Sequence, residues 1–201
     1  MSATPKDLRA LTSKAEEMGA SKASTILASS VIMDPRVELK CRIPLCPNYG
    51  RSLTCPPNVI GPERFALALG RYSHAVLVQK RYDQKEMMAM LATTPYQELE
   101  SSPEYLGRMR GMFKDFAAIM SGLEGEAMRM GYRFAAALVG GPCCQCDECA
   151  SPGQKCRHPF QARPSMEAMG IDVIATAASA QMAIEYPARD YATLTGLLLV
   201  E

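Results

Sequence analysis

The chain has 201 residues, 48% of them hydrophobic, which is enough for one well-filled core and leaves little room for a second. With 22 basic against 21 acidic side chains, a formal charge of +1 and no basic block, it presents no electrostatic case for nucleic acid or an anionic membrane surface. No window reaches the roughly 18 apolar residues of a membrane span, and the charged start MSATPKDLRALTSKAEEMGA lacks an apolar signal core; a cytoplasmic protein, soluble and made of a single domain over residues 1–201, is expected.

Taken in chain order, the first twenty residues read as a helix. Thr4 is its cap, Pro5 lies in its first turn, Leu8, Leu11 and Ala15 recur at three to four, and Gly19 ends it. STILASSVIM (24–33) is apolar and partly β-branched and reads as a strand, although periodicity alone leaves helix open. From Cys41 to Gly61 prolines accumulate, so neither helix nor ladder is expected to run through that loop. Pro62 opens a short helix to Gly70, and HAVLVQKRY follows as a strand with a buried Ala75–Val78 run.

Ser102, Pro103 and Glu104 form a helix start. Leu106, Met109, Phe113, Phe116, Met120, Leu123, Ala127 and Met130 then mark one stripe over about 40 Å. Ordinary core packing is the preferred reading of that stripe, and a cofactor-facing methionine face the sharper one. RFAAALVGGP (133–142) reads as a strand entering a cysteine-rich loop, RPSMEAMG (163–170) as a short helix, and TLTGLLLVE (193–201) as a terminal strand; IDVIATAASAQ is ambiguous. The expected fold class is therefore α/β in the α+β layered sense: a central sheet of about four strands packed by helices, carrying cysteine loops at 41–61 and 140–164. Dinucleotide, Walker and serine-hydrolase motifs are absent.

Eight cysteines in a reducing compartment read as metal ligands or catalysts before disulfides. Cys143, Cys146, Cys149 and Cys156 form C-x2-C-x2-C-x6-C. A structural zinc site usually joins two separated C-x2-C knuckles, whereas three cysteines at successive two-residue gaps wrap a cubane corner by corner. A 4Fe-4S cluster is the better fit and zinc the alternative. Gly140, Gly141 and Pro142 turn the backbone toward the sulfurs, and Lys155 and Arg157 stand beside them. Cys41, Cys46 and Cys55 form the second set, on a proline-rich loop for which bound metal is the staple. Cys144 falls outside the two-residue frame. If it joins Cys41, Cys46 and Cys55 the chain has two four-thiolate sites; if not, one centre has three protein ligands, with His74 and His158 as further candidates for the fourth position. A closed centre suits electron transfer, and an open iron suits binding a substrate.

CPNYGRSLTCPPNV, GGPCCQCDECASPGQKCRHPFQARPSMEAMGIDV and the closing GLLLVE resemble the prokaryotic group described as predicted metal-binding proteins, the domain of unknown function 2284. The resemblance runs from about Cys41 onward. It implies a cytoplasmic metal or iron-sulfur protein of prokaryotes, often anaerobic ones, and no settled activity. Its cysteine pattern matches Cys41, Cys46, Cys55, Cys143, Cys146, Cys149 and Cys156 and leaves Cys144 out, so it implies seven ligands.

Asn48, Tyr49, Arg51, Arg157, His158, Arg163, Ser165 and Glu167 are the polar residues beside these motifs. Ser165 and Glu167 read first as a helix cap and a first-turn acid; Arg157 and Arg163 form a candidate pair for an anionic substrate. The expected function is electron transfer through two 4Fe-4S clusters with a redox partner protein. The alternatives are an iron-sulfur oxidoreductase or lyase acting on a small molecule at an open iron of the Cys41/Cys46/Cys55 centre, and a zinc-stapled interaction protein.

Overall fold

The computed structural model describes residues 7–99, 101–186 and 188–201. Helix α1 (Leu8–Glu17) begins at Asp7, whose carboxylate accepts the Arg9 N–H at 2.9 Å, and buries Leu11 and Ala15. Thr4 and Pro5, the expected cap and first-turn residues, lie outside the described residues. Strand β1 (Lys22–Leu27) takes only the first half of the predicted strand, and the chain then tightens into a 3₁₀ turn at Ala28–Ser30. A second 3₁₀ turn at Pro35–Glu38 runs into α2 (Leu39–Arg42). Cys41 is therefore helical, where the composition had suggested loop. The first proline is Pro44, and the residue before it, Ile43, is extended as such a position requires.

Helix α3 (Pro62–Leu69) opens on its proline and ends at Gly70 as expected. Strand β2 (His74–Asp83) is followed by α4 (Lys85–Thr93) and α5 (Tyr96–Leu99). Helix α6 (Pro103–Arg129) starts at Ser102, whose hydroxyl accepts from the Tyr105 N–H. Strand β3 keeps only Ala136–Val139 of the longer predicted run. The backbone N–H groups of Arg133 and Phe134 are taken by the Glu201 carboxylate at 2.7 and 3.3 Å, so those residues do not extend the ladder. RPSMEAMG forms a 3₁₀ turn at Glu167–Met169. The ambiguous IDVIATAASAQ becomes α7 (Val173–Ser179), with the Asp172 carboxylate accepting from the Ala175 N–H. Strand β4 (Tyr191–Val200) closes the fold.

The sheet has the order β1-β2-β4-β3 with every neighbouring pair antiparallel. Its central strands carry unbroken apolar runs because both faces are covered. Val76, Val78, Ala137, Val139, Leu198 and Val200 pack toward α1 and α6, while Ala75, Leu77, Leu138, Leu197 and Leu199 pack toward α3, α7 and the 166–171 segment. Each large side chain fully removed from water contributes about 1.5–3 kcal/mol, so neither layer is dispensable.

The outer edge of β3 is sealed locally. Val139 N–H donates to Pro164 at 3.1 Å, Met166 N–H donates to Val139 at 2.7 Å, and Ala137 N–H donates to the Glu124 carboxylate at 2.8 Å. The second cysteine loop therefore leaves the sheet after Val139 and returns beside the same residue. The strand that launches the loop also receives its end.

Candidate metal centres

All eight cysteines carry free thiols. The first loop is ordered by its own backbone: Cys46 N–H donates to Cys41 at 3.1 Å, Cys55 N–H to Ser52 at 3.2 Å, and Gly50 N–H to Pro56 at 2.8 Å. Asn58 adds a side-chain bond to the Ser52 carbonyl at 3.0 Å. These bonds bring three thiols separated by fourteen positions of chain into mutual electrostatic range. Burial pushes the Cys41 thiol up, Cys46, Glu167 and Glu38 push it further, and Arg42 pulls the other way. Burial raises Cys55 to about 11, with Ser52 and Thr54 hydrogen bonds pulling the other way and Cys46 and Cys41 adding to the rise. Arg42 lies over the Tyr49 ring at 5.5 Å and ties α2 to the loop.

The second loop gathers the four cysteines of the C-x2-C-x2-C-x6-C frame. Burial raises the Cys143 thiol, a backbone hydrogen bond from Gln145 lowers it, and Cys156, Cys149 and Cys146 raise it again. His158 N–H points at Cys156 Sγ at 3.4 Å. Mutually repelling thiols fitted with amide donors are a donor set suited to thiolate coordination, since a bound cation removes the repulsion and the amides stabilise the sulfur charge. Among the described residues no three Cys, His, Asp or Glu side chains stand in coordinating geometry.

Cys144 lies next to Cys143, outside the two-residue frame. Burial raises its thiol, Cys143 adds to the rise, and Arg110 and Lys114 of α6 oppose it; its Sγ lies 3.8 Å from the Pro142 carbonyl. Its charged neighbours are thus on α6, and it lines the same cleft as Asn48, Arg51 and Ser52 of the first loop. His74 is registered against Val200, whereas the second loop leaves the sheet at the level of Gly196, so His74 stands toward the opposite end of the strands.

The two loops meet at an open cleft of about 770 Å³. Asn48, Arg51 and Ser52 form one wall and Cys143, Cys144, Cys146 and Cys149 another. The third wall is α6, through Leu106, Met109 and Phe113. The α6 stripe thus divides: Phe116, Met120, Leu123 and Ala127 are core, while its first turns border the cysteines. Arg110 Nη1 holds Asp147 at 2.8 Å and pins the loop to the helix. Neither residue stands out in the sequence, because the pair joins positions 37 apart.

A family model described as predicted metal-binding protein (DUF2284) matches residues 24–200. The chain belongs to that family. No curated protein and no solved structure matches it.

The matched span takes in both cysteine loops and nearly the whole sheet of this DUF2284 chain. Its remaining polar candidates fall into four places. Asn48 and Arg51 line the cleft. Arg157 Nη1 donates to the Glu148 carbonyl at 2.7 Å, inside the second loop. Arg163 is paired with Glu124 beneath β3 and lines a neighbouring apolar cavity with Phe65, Tyr72 and Phe160 instead of the cysteine cleft. Ser165 accepts the Ala168 N–H at 2.9 Å as the expected cap. Glu167 does more than sit in a first turn: its carboxylate accepts the Gly141 N–H at 3.2 and 3.3 Å, at the root of the second loop, and its charge acts on Cys41 of the first. Burial pushes that carboxyl up, against hydrogen bonds from its own backbone, Gly141 and Ser165.

Among the described residues no helix is long and apolar enough to cross a membrane.

Proposed function

We propose that this metal-binding protein is a cytoplasmic iron-sulfur protein carrying two 4Fe-4S clusters and passing electrons to and from a redox partner protein. Cys143, Cys146, Cys149 and Cys156 are the ligands of one cluster; Cys41, Cys46 and Cys55 belong to the other. The observation that carries the reading is the sorting of the thiols into a group of four and a group of three, with both loops bordering one cleft. A 4Fe-4S group held by thiolates supplies one-electron chemistry at a potential set by ligand charge, amide donors and solvent access. The chain supplies the amides of Gln145 and His158 and walls the Cys143 loop with apolar side chains of α6.

Iron and acid-labile sulfide analysis of anaerobically purified protein tests this. Two clusters predict about eight of each per chain. Zinc without sulfide would end the iron-sulfur reading in favour of a stapled interaction protein.

The cleft itself favours a second reading, an oxidoreductase or lyase that takes a small substrate between Arg51 and the Cys143 loop. In that case small anions added to the reduced protein change its paramagnetic spectrum, and Arg51→Ala abolishes the change.

A further inference from the structure

We propose that the turn between Cys41 and Cys46 is the docking surface for a small acidic electron-carrier protein of the ferredoxin class. The partner seats the apolar centre of its own face on Ile43, Pro44 and Leu45 and its acidic rim on Lys40 and Arg51. The inference rests on the reading of this chain as an electron-transfer protein and names its partner.

The turn is built by its own backbone. Ile43 N–H donates to the Leu39 carbonyl at 2.8 Å and Cys46 N–H to the Cys41 carbonyl at 3.1 Å, so the chain between the two cysteines is closed at its base. What it presents at the apex is apolar. Ile43 is 71% exposed, Leu45 66%, and Leu39, one turn earlier, 51%. Pro44 between them and Pro47 after Cys46 are exposed as well. None of these side chains joins the packing on either face of the sheet. Single exposed apolar residues are ordinary, but a run of them held out by an ordered turn keeps hydrophobic area in water that a partner would cover. Cys41 and Cys46 stand at the two feet of the turn, so a partner on its apex lies beside the first set of thiols.

Charge selects the kind of partner. From Asp34 to Arg51 the chain carries four cations, Arg36, Lys40, Arg42 and Arg51, against the two acids Asp34 and Glu38. Arg36 is paired with Asp34 at 2.5 Å and Arg42 with Glu38 at 2.8 Å. Among the described residues Lys40 and Arg51 form no ion pair, and both are exposed. An apolar centre with unpaired cations at its rim is complementary to an acidic face, which it attracts and orients.

The same features disfavour other occupants. A second copy would bring Lys40 and Arg51 against their own kind. Holding an anionic bilayer takes a cluster of roughly four to eight cations, and this rim offers Lys40 and Arg51 alone. A permanent partner buries roughly 2,000 Å² or more, whereas redox encounters fall below about 1,200 Å²; a few side chains on one turn match the second.

The test uses the full chain purified anaerobically with its metal, as wild type, Lys40→Glu and the double variant Ile43→Ser/Leu45→Ser. An acidic two-cluster ferredoxin is the probe and basic cytochrome c the control of opposite charge. Binding is measured by calorimetry at low and high salt. In parallel, stopped flow follows one electron leaving a reduced ferredoxin cluster and entering a cluster of this chain, with no bond made or broken. We expect wild type to bind ferredoxin, more weakly as salt rises, and not cytochrome c. Lys40→Glu should weaken binding at low salt and flatten its salt dependence. Ile43→Ser/Leu45→Ser should weaken it about tenfold at both salts, the loss expected for a buried leucine-sized contact. Both variants should slow the electron from ferredoxin while dithionite reduces them as fast as wild type. Because the replaced side chains are exposed, an unchanged unfolding midpoint shows that the fold is intact.

Ferredoxin binding to the folded variants as tightly as to wild type would overturn the inference. So would a wild-type chain that dithionite reduces but ferredoxin does not bind. Sedimentation with vesicles of equal parts phosphatidylglycerol and phosphatidylcholine, lost in Ile43→Ser/Leu45→Ser, would assign the turn to a membrane and overturn it too, and a wild-type dimer lost in that variant would assign it to a second copy. Absence of iron and sulfide removes the electron-transfer reading itself and this inference with it.

Discussion

Glu124 and Arg163 form an ion pair whose side chains are only 14% and 11% exposed, directly under the edge of β3. The same carboxylate accepts the Ala137 N–H at 2.8 Å, and Arg163 donates to the Ala162 carbonyl at 2.8 Å. One pair therefore closes an open strand edge and fixes the returning limb of the second cysteine loop. Removing one partner strands the other charge and an edge amide. Arg163→Ala or Glu124→Ala is expected to cost about 3 kcal/mol, read as a lower urea midpoint at unchanged slope, whereas a Glu124→Leu/Arg163→Met double variant should recover part of the loss.

Gly141 has a left-handed φ of +84°, and a Cβ there would stand 2.6 Å from the Phe113 ring. Gly141→Ala combines backbone strain with a clash, together about 2–4 kcal/mol. The chain should unfold several degrees lower and bind less metal at the Cys143 loop. Adding Phe113→Ala removes the clash and should restore metal content without restoring all of the stability, since the φ strain stays.

Cys144→Ser should leave metal stoichiometry and spectrum at wild-type values, because the residue falls outside the C-x2-C-x2-C-x6-C frame and its thiol has Arg110 and Lys114 of α6 beside it. Cys146→Ser should lose one centre. Equal losses from the two variants would place Cys144 among the ligands.

Tyr82 Oη donates to Asp115 at 2.6 Å and Lys80 Nζ pairs with the same carboxylate at 2.6 Å, joining β2 to α6. Burial pushes Asp115 up, but the hydrogen bonds from Lys80 and Tyr82 outweigh it and hold the carboxyl below its ordinary value. Its stabilising contribution is therefore present above the ordinary aspartate range near pH 4 and is lost as pH falls through the lower folded value. Asp115→Asn should flatten the acid limb of a stability-versus-pH curve; a curve parallel to wild type would show that the network carries no such linkage. Tyr82 shifts upward, through burial and the hydrogen bond to Asp115, so its phenol should titrate above the other tyrosines in an ultraviolet titration.

Stripping the metal with chelator should expose the loops and spare the sheet. Limited proteolysis of the stripped chain is expected to cut within 41–61 and 140–164 while β2 and β4 persist, because the strands are held by two buried faces and the loops mainly by local backbone bonds.

What could be read in the sequence was local. Ser102-Pro103 began α6, Pro62 began α3, the LLLV run ended in a buried strand, and the cysteine-rich segment after Val139 came out as a loop. The features that escaped depend on partners remote in the chain. β3 shortens because Glu201 captures the Arg133 and Phe134 amides. The first turns of α6 become a cleft wall because Asp147 docks on Arg110. The stripe itself carried no mark of where core ends and cleft begins, since Leu, Met and Phe serve both. Glu167 read as a first-turn acid, which its place in the turn explains; its contact with Gly141 required the return of the loop to β3.

That return has a consequence for engineering. The second cysteine loop begins and ends beside Val139 and leans on α6 and Glu167, while the Pro35–Glu38 turn and α3, before and after the first loop, pack on the turn that carries Glu167. Neither motif is a portable cassette. Grafted alone onto another scaffold, the C-x2-C-x2-C-x6-C segment would lose the Arg110 clamp, the Phe113 wall and the carboxylate at its root. The transferable unit is the pair of loops together with β3, α6 and the 164–171 segment.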